Sequence, residues 1–202
     1  MFANAGQASF CCEAPQVIEG PDSFPYVRLT LPESNKPFTC YVIEHMIPQF
    51  ILQKGLGIVI NPDKERPDWV FSHGDLVNYH VYGAFDARDA RFDAGIPEVL
   101  TLKEENRIQT GEPSLQLLPL ETRQVLRHFF ERAGIPAKVL LMSRASDEKT
   151  GEKGGLSLVF PFTPNSFNNQ EEYEHCVQSI GWYLPHHYSV IGMAEDEYFY
   201  DL

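Results

Sequence analysis

Apolar residues recur at helical spacing in four stretches of the chain, and short alternating or continuous apolar runs between them read as strands. Phe38, Tyr41, Val42, His45, Met46 and Phe50 place a first helix over about residues 37–54, preceded by a Pro32-Glu33-Ser34-Asn35 turn. Pro48 lies inside that stretch. It removes one backbone donor and crowds the carbonyl of Glu44, so a kink or break is expected there. Gly55 or Gly57 ends the helix. Ser72-His73-Gly74-Asp75 fits a capping box and opens a second helix that runs to about residue 84. The third is the most sharply marked. Pro119 and Glu121 start it, Val125, Leu126, Phe129, Phe130 and Ala133 form a broad stripe, and Gly134 and Pro136 close it. Phe129 and Phe130 are both expected in the core. A fourth helix starts near Asn169, buries Tyr173, Cys176, Val177, Ile180 and Leu184, and stops at Pro185.

Between the helices, Phe24 to Leu31, Ile58-Val59-Ile60 and Trp69-Val70-Phe71 read as strands, the last two antiparallel. Val99-Leu100-Thr101-Leu102 is a further short strand, and Lys138–Ser143 and Tyr188–Met193 two more. Leu156, Leu158, Phe160 and Phe162 alternate strictly, and Pro161 marks that strand as an edge or its end. Residues 146–154 are a solvated hairpin loop. Strands that come in local pairs, without a strict strand–helix–strand rhythm, imply an α+β fold with helices packed on antiparallel strands. Residues 1–24, small, polar and interrupted by Pro and Gly, read as an N-terminal arm. Residues 25–202 read as a single compact domain. A repeated order of helix, strand, loop, strand, helix would divide that domain into halves 25–84 and 118–202, with the first helix matching the third. The irregular segment 85–117 would join them.

Charge changes the picture more than any motif does. The 202 residues carry 16 Lys and Arg against 28 Asp and Glu, a net charge of −12. With no basic excess to neutralise phosphates, nucleic-acid binding is disfavoured, and no run approaches the ~20 apolar residues of a membrane helix. The acids are not spread evenly. From Gly154 to Leu202 there is no Lys or Arg, while Glu171, Glu172, Glu174, Glu195, Asp196, Glu197 and Asp201 supply −7. Trp182 lies off the stripe of the fourth helix, and Tyr198-Phe199-Tyr200 sits within the acidic tail. Acids mixed with Trp and Tyr make an interface composition suited to a basic protein partner. Glu171, Glu172, Glu174, Trp182, Glu195, Asp196, Glu197 and Tyr198 are therefore the candidate partner-binding residues.

Catalytic and metal constellations are weak. Ser72, His73 and Asp75 have the residue types of a hydrolase triad, but adjacent positions on one helix turn suit a cap better than a triad assembled from separate elements. His175, Cys176, His186 and His187 lack the usual zinc spacing, and Cys176 and His175 fall on different faces. Asp86, Asp89 and Asp93, interleaved with Arg88 and Arg91, do not follow a calcium-loop pattern. The Gly151–Gly155 run sits between strands, where a phosphate loop would precede a helix. Arg123, Arg127 and His128 read as a solvated helix face. No metal or cofactor is implied.

The first residues lack the basic and apolar regions of a secretory signal. The four cysteines are too sparse for a disulfide framework, and Cys11, Cys12, Cys40 and Cys176 read as reduced thiols, Cys40 and Cys176 in the core. The expectation is a cytoplasmic, bacterial, non-enzymatic module of the immunity-protein or secretion-chaperone kind. The alternatives are a hydrolase-like enzyme built from scattered residues such as His73, Asp75, His186 and His187, and a dimer joined through the Leu156–Phe162 edge.

Overall fold

The computed structural model describes residues 2–92, 108–145 and 154–202. Among them the chain forms four helices and ten strands in two mixed, mostly antiparallel sheets, an α+β fold. It divides into two units, Met1–Ala87 with Trp182–Pro185, and Arg88–Gly181 with His186–Leu202.

In the first unit a 3-10 turn, Phe2–Gln7, leads into β1 (Ser9–Glu19), β2 (Pro25–Thr30) and β3 (Cys40–Val42). Helix α1 (residues 43–54), β4 (Gly57–Ile60), β5 (Trp69–Phe71) and α2 (His73–Tyr82) follow. The sheet order is β3-β1-β2-β4-β5. All neighbours are antiparallel except β2 and β4, between which the chain returns through α1, the kind of long crossover a parallel pair requires. The segment expected to be an arm thus supplies an inner strand. Its register slips between Cys11 and Gln16, so the chain does not keep the period-2 alternation by which a strand is recognised.

The start of α1 also differs from expectation. Cys40–Val42 is strand, and the helix begins at Ile43. Its buried face is Ile43, Met46, Ile47, Ile51 and Leu52, which packs with Val27, Leu29, Ile58, Ile60, Leu76 and Val77 in one core. Pro48 does not break the helix. The turn containing it, Ile47–Ile51, widens into a π-helix, which absorbs the missing donor at a position where an ordinary α-turn would clash. Helix α2 carries the expected capping box: Ser72 Oγ accepts from the Asp75 amide at 3.1 Å, and the Asp75 carboxylate accepts from the Ser72 amide at 2.8 Å. Gly74 in its first turn is required by close approach, because a Cβ there would lie 2.0 Å from the Leu184 carbonyl oxygen.

The second unit holds β6 (Ile108–Gly111), α3 (Leu120–Ala133), β7 (Lys138–Arg144), β8 (Gly155–Phe160), α4 (Gln170–Tyr183), β9 (Val190–Gly192) and β10 (Tyr200–Asp201). The last two residues of α4, Trp182 and Tyr183, are grouped with the first unit. The sheet order is β10-β7-β8-β9, with β6 also paired to β7. Strand β8 pairs with β7 on one side, and its Leu158–Phe160 portion pairs with β9 on the other. The expected edge at Leu156–Phe162 is therefore largely covered, and Pro161 terminates the strand. This removes the basis for dimerisation through that edge. Leu126 and Phe130 of α3 are fully buried, as are Phe160 and Phe162 to within 1 %, whereas Phe129 is half-buried. The strand at 99–102, Asp93, the hairpin loop at 146–153 and most of the Gly151–Gly155 run lie outside the described residues.

The two units share a motif that differs from the expected one. Each has an antiparallel pair, a helix and a strand parallel to the second member of the pair: β1-β2-α1-β4 and β7-β8-α4-β9. The helix corresponding to α1 is therefore α4, not α3. Strand β3, inserted between β2 and α1, is specific to the first unit.

Candidate functional site

The acidic residues of the C-terminal quarter lie on α4, on β10 and on the loop that precedes β10. Phe199 and Leu202 are buried, and Phe199 packs with Leu140, Met142 and Val159. Tyr200 and Asp201 pair with Val139 and Lys138. At its other end the segment is held by the Met193 amide, which donates to the Phe160 carbonyl at 3.0 Å. Residues 194–198 are thus a short exposed loop pinned at both ends, carrying Glu195, Asp196, Glu197 and Tyr198 outward. Tyr198 is 61 % exposed. Within the loop, Asp196 accepts from the Tyr198 amide at 2.9 Å, and Glu195 pairs with Lys138 at 2.5 Å. That hydrogen bond, and then the charge of Glu195, hold the Lys138 ammonium above its ordinary value.

On α4, Glu171, Glu172 and Glu174 are exposed in the first turns, where the positive end of the helix favours them. They are not equivalent. Glu172 completes a cap: its amide donates to Asn169 Oδ1 at 2.9 Å, and its carboxylate accepts from the Asn168 amide at 3.2 Å. Glu174 accepts from the Gln170 side chain at 3.0 Å. Glu172 therefore has a structural duty that Glu171 does not show.

Trp182 is a correction. The expected exposed anchor is 8 % exposed and belongs to an aromatic cluster of the first unit. Its ring stacks on Phe24 at 4.2 Å, nearly parallel to it, and meets Tyr26 edge-on at 5.7 Å. Its indole N–H donates to the Tyr26 hydroxyl at 2.9 Å, and that hydroxyl donates to Asp22. Burial, and then the bond to Asp22, push the Tyr26 hydroxyl above its ordinary value, so it stays protonated and can serve both partners.

Two of the four residues of the hydrolase alternative, His73 and Asp75, lie in the first unit. Asp75 is held in the capping box of α2, and His73 is fully buried, beside the rings of Trp182 and Tyr183. Its Nδ1 contacts the Leu56 carbonyl at 3.3 Å, while its Nε2 has no hydrogen-bond partner among the described residues. Burial lowers its pKa to about 4. An unfolded histidine takes up a proton near 6.5, so between these values the unfolded chain binds more protons than the folded one. The resulting stability is complete above pH 6.5 and is lost as pH falls toward 4, up to about 3 kcal/mol. The urea unfolding free energy should fall by about 1 kcal/mol between about pH 7.5 and 5.5, and His73→Leu should remove that part of the decline. An equal decline in both proteins would assign it to other groups.

Two further side chains differ from expectation. Arg123 is buried, not solvated: its guanidinium donates to the Leu118 and Pro113 carbonyls and pairs with Glu112 at 2.7 Å, fastening the loop before α3 to the helix. Cys40, expected in the core, is exposed on β3 directly opposite Cys11 of β1. Cys176 is buried as expected, and burial pushes its thiol up to about 11. His175 faces outward, near Ser179 at 3.5 Å. Among the described residues no three His, Cys, Asp or Glu side chains gather as metal ligands, and no helix is long and apolar enough to cross a membrane. Compared with family models, with curated proteins and with solved structures, the chain matches none.

Proposed function

We propose that this protein is a non-enzymatic binding module that docks a basic protein partner on its acidic C-terminal quarter, as an immunity protein or secretion chaperone does. The observation that carries this reading is that all seven acids between Gly154 and Leu202 are exposed, on a stretch without Lys or Arg. The pinned loop supplies the contact: Asp196 and Glu197 provide charge, and Tyr198 provides an exposed ring that loses little freedom when covered. The charge of Glu195 is largely offset by its pair with Lys138, Glu171 and Glu174 add to the field from α4, and Glu172 serves chiefly as a cap. Trp182 has no part in the contact.

Charge of this kind acts mainly on association. A partner captured on the immobilised chain and identified by mass spectrometry should bind more slowly as ionic strength passes ~0.15 M, where the Debye length is about 8 Å. Combining Glu195→Gln, Asp196→Asn and Glu197→Gln should lower the association rate on the order of tenfold while changing dissociation much less. Association that ignores both salt and these substitutions would reduce the acids to a solubility device.

A further inference from the structure

We propose that Cys11 and Cys40 are a reversible dithiol–disulfide pair that, when oxidised by a small-molecule disulfide, staples the edge strand β3 to β1. The argument rests on register. Strands β1 and β3 are antiparallel, with Ser9 opposite Val42, Phe10 opposite Tyr41 and Cys11 opposite Cys40. Directly opposed residues in an antiparallel pair project from the same face, with Cβ atoms about 4.5–5.5 Å apart. A disulfide holds its Cβ atoms about 3.5–4.5 Å apart, so closure asks for a shift of roughly an ångström. The shift falls on β3, a strand of three residues at the margin of the sheet, bonded on one side only among the described residues. Both thiols are reduced in the structure, Cys40 exposed and Cys11 half-buried. Cys11 lines an open groove of about 660 Å³ together with Cys12, Thr30, Glu33, Lys36 and Phe38, which gives a small reagent access.

The neighbouring thiol is excluded by the same geometry. The β1–β3 register ends at the Cys11–Cys40 pair, and Cys12 packs against the core with its Sγ in contact with the Arg28 carbonyl at 3.5 Å. The reaction balances in two exchanges. The Cys40 thiolate attacks the small disulfide, forming a mixed disulfide and releasing one thiol. The Cys11 thiolate then attacks the Cys40 sulfur, forming the Cys11–Cys40 bond and releasing the second thiol. The two cysteines lose two electrons and two protons, which the reagent gains. Partial burial, and then the proximity of Cys40 and Glu33, hold the Cys11 thiol above its ordinary value, so closure should quicken as pH rises.

The test is to treat the full chain with oxidised glutathione, block remaining thiols and map the peptides by mass spectrometry. The expected product has lost the mass of two hydrogens, joins the peptide ending at Arg28 to the peptide carrying Cys40, and reverts with dithiothreitol. Cys12→Ser and Cys176→Ser should still form it, while Cys11→Ser and Cys40→Ser should stop at the glutathione adduct. A link that survives Cys11→Ser, a link between Cys11 and Cys12, or a stable glutathione adduct on Cys40 in the unsubstituted protein would overturn the proposal. So would recovery of both thiols unmodified.

Discussion

Replacing Trp182 by alanine is expected to destabilise the protein on the order of 3–5 kcal/mol, whatever partner it binds. The ring is almost fully buried, one face is stacked on Phe24, and its edge meets Tyr26 and Tyr183. Truncation removes these contacts, opens a cavity and takes away the donor that the Tyr26 hydroxyl accepts. It also exposes His73, whose ring lies 6.1 Å from the indole, and whose neutral state depends on exclusion of water. The conservative change Trp182→Phe keeps much of the stacking and loses only the indole N–H and some volume, so it should be milder, on the order of 1–2 kcal/mol. Urea unfolding followed by far-UV circular dichroism separates this account from the one suggested by the helical pattern alone. An exposed interface anchor would leave stability within about 0.5 kcal/mol and act on dissociation of the partner.

The misplacement of Trp182 marks where the sequence stops being readable. On α4 the stripe Cys176, Ile180 and Leu184 does mark buried positions, and a wheel drawn on it leaves Trp182 outside. The helix, however, ends in a different neighbourhood from the one it starts in, since Trp182–Pro185 are grouped with the first unit. A single stripe describes a helix that faces one core. For α2 the capping box is where the pattern puts it, and for α3 so are Leu126, Phe130 and the terminating Gly134, whereas Phe129 is half-buried and Ala133 exposed. Strand β1 failed for a related reason. Its bulge between Cys11 and Gln16 breaks the alternation, and Pro15 within it discourages the assignment. The acids of the C-terminal loop were legible because exposure is the default for charge. The opposition of Cys11 and Cys40 was not, because nothing in a sequence fixes the register between strands that are distant along the chain.

Phe130→Ala is the second large effect, expected at about 3–5 kcal/mol, against roughly 1 kcal/mol for its neighbour Phe129→Ala. Adjacent residues on a helix point about 100° apart, so one broad stripe need not bury both. Phe130 is fully buried, with Phe160 at 5.2 Å and Phe162 at 6.5 Å, both themselves enclosed, so its loss leaves a cavity walled by rings that are already held. Leu126, one turn earlier on α3, is also fully buried, leaving little slack in the helix to fill the gap. Phe129 touches Phe130 at 5.5 Å but keeps part of its surface in water, so truncating it sacrifices less burial and creates no closed void. The ratio is a sharper test than either value. Unfolding free energies that rank Phe129→Ala at or above Phe130→Ala would mean that α3 is rotated about its axis relative to the sheet it covers.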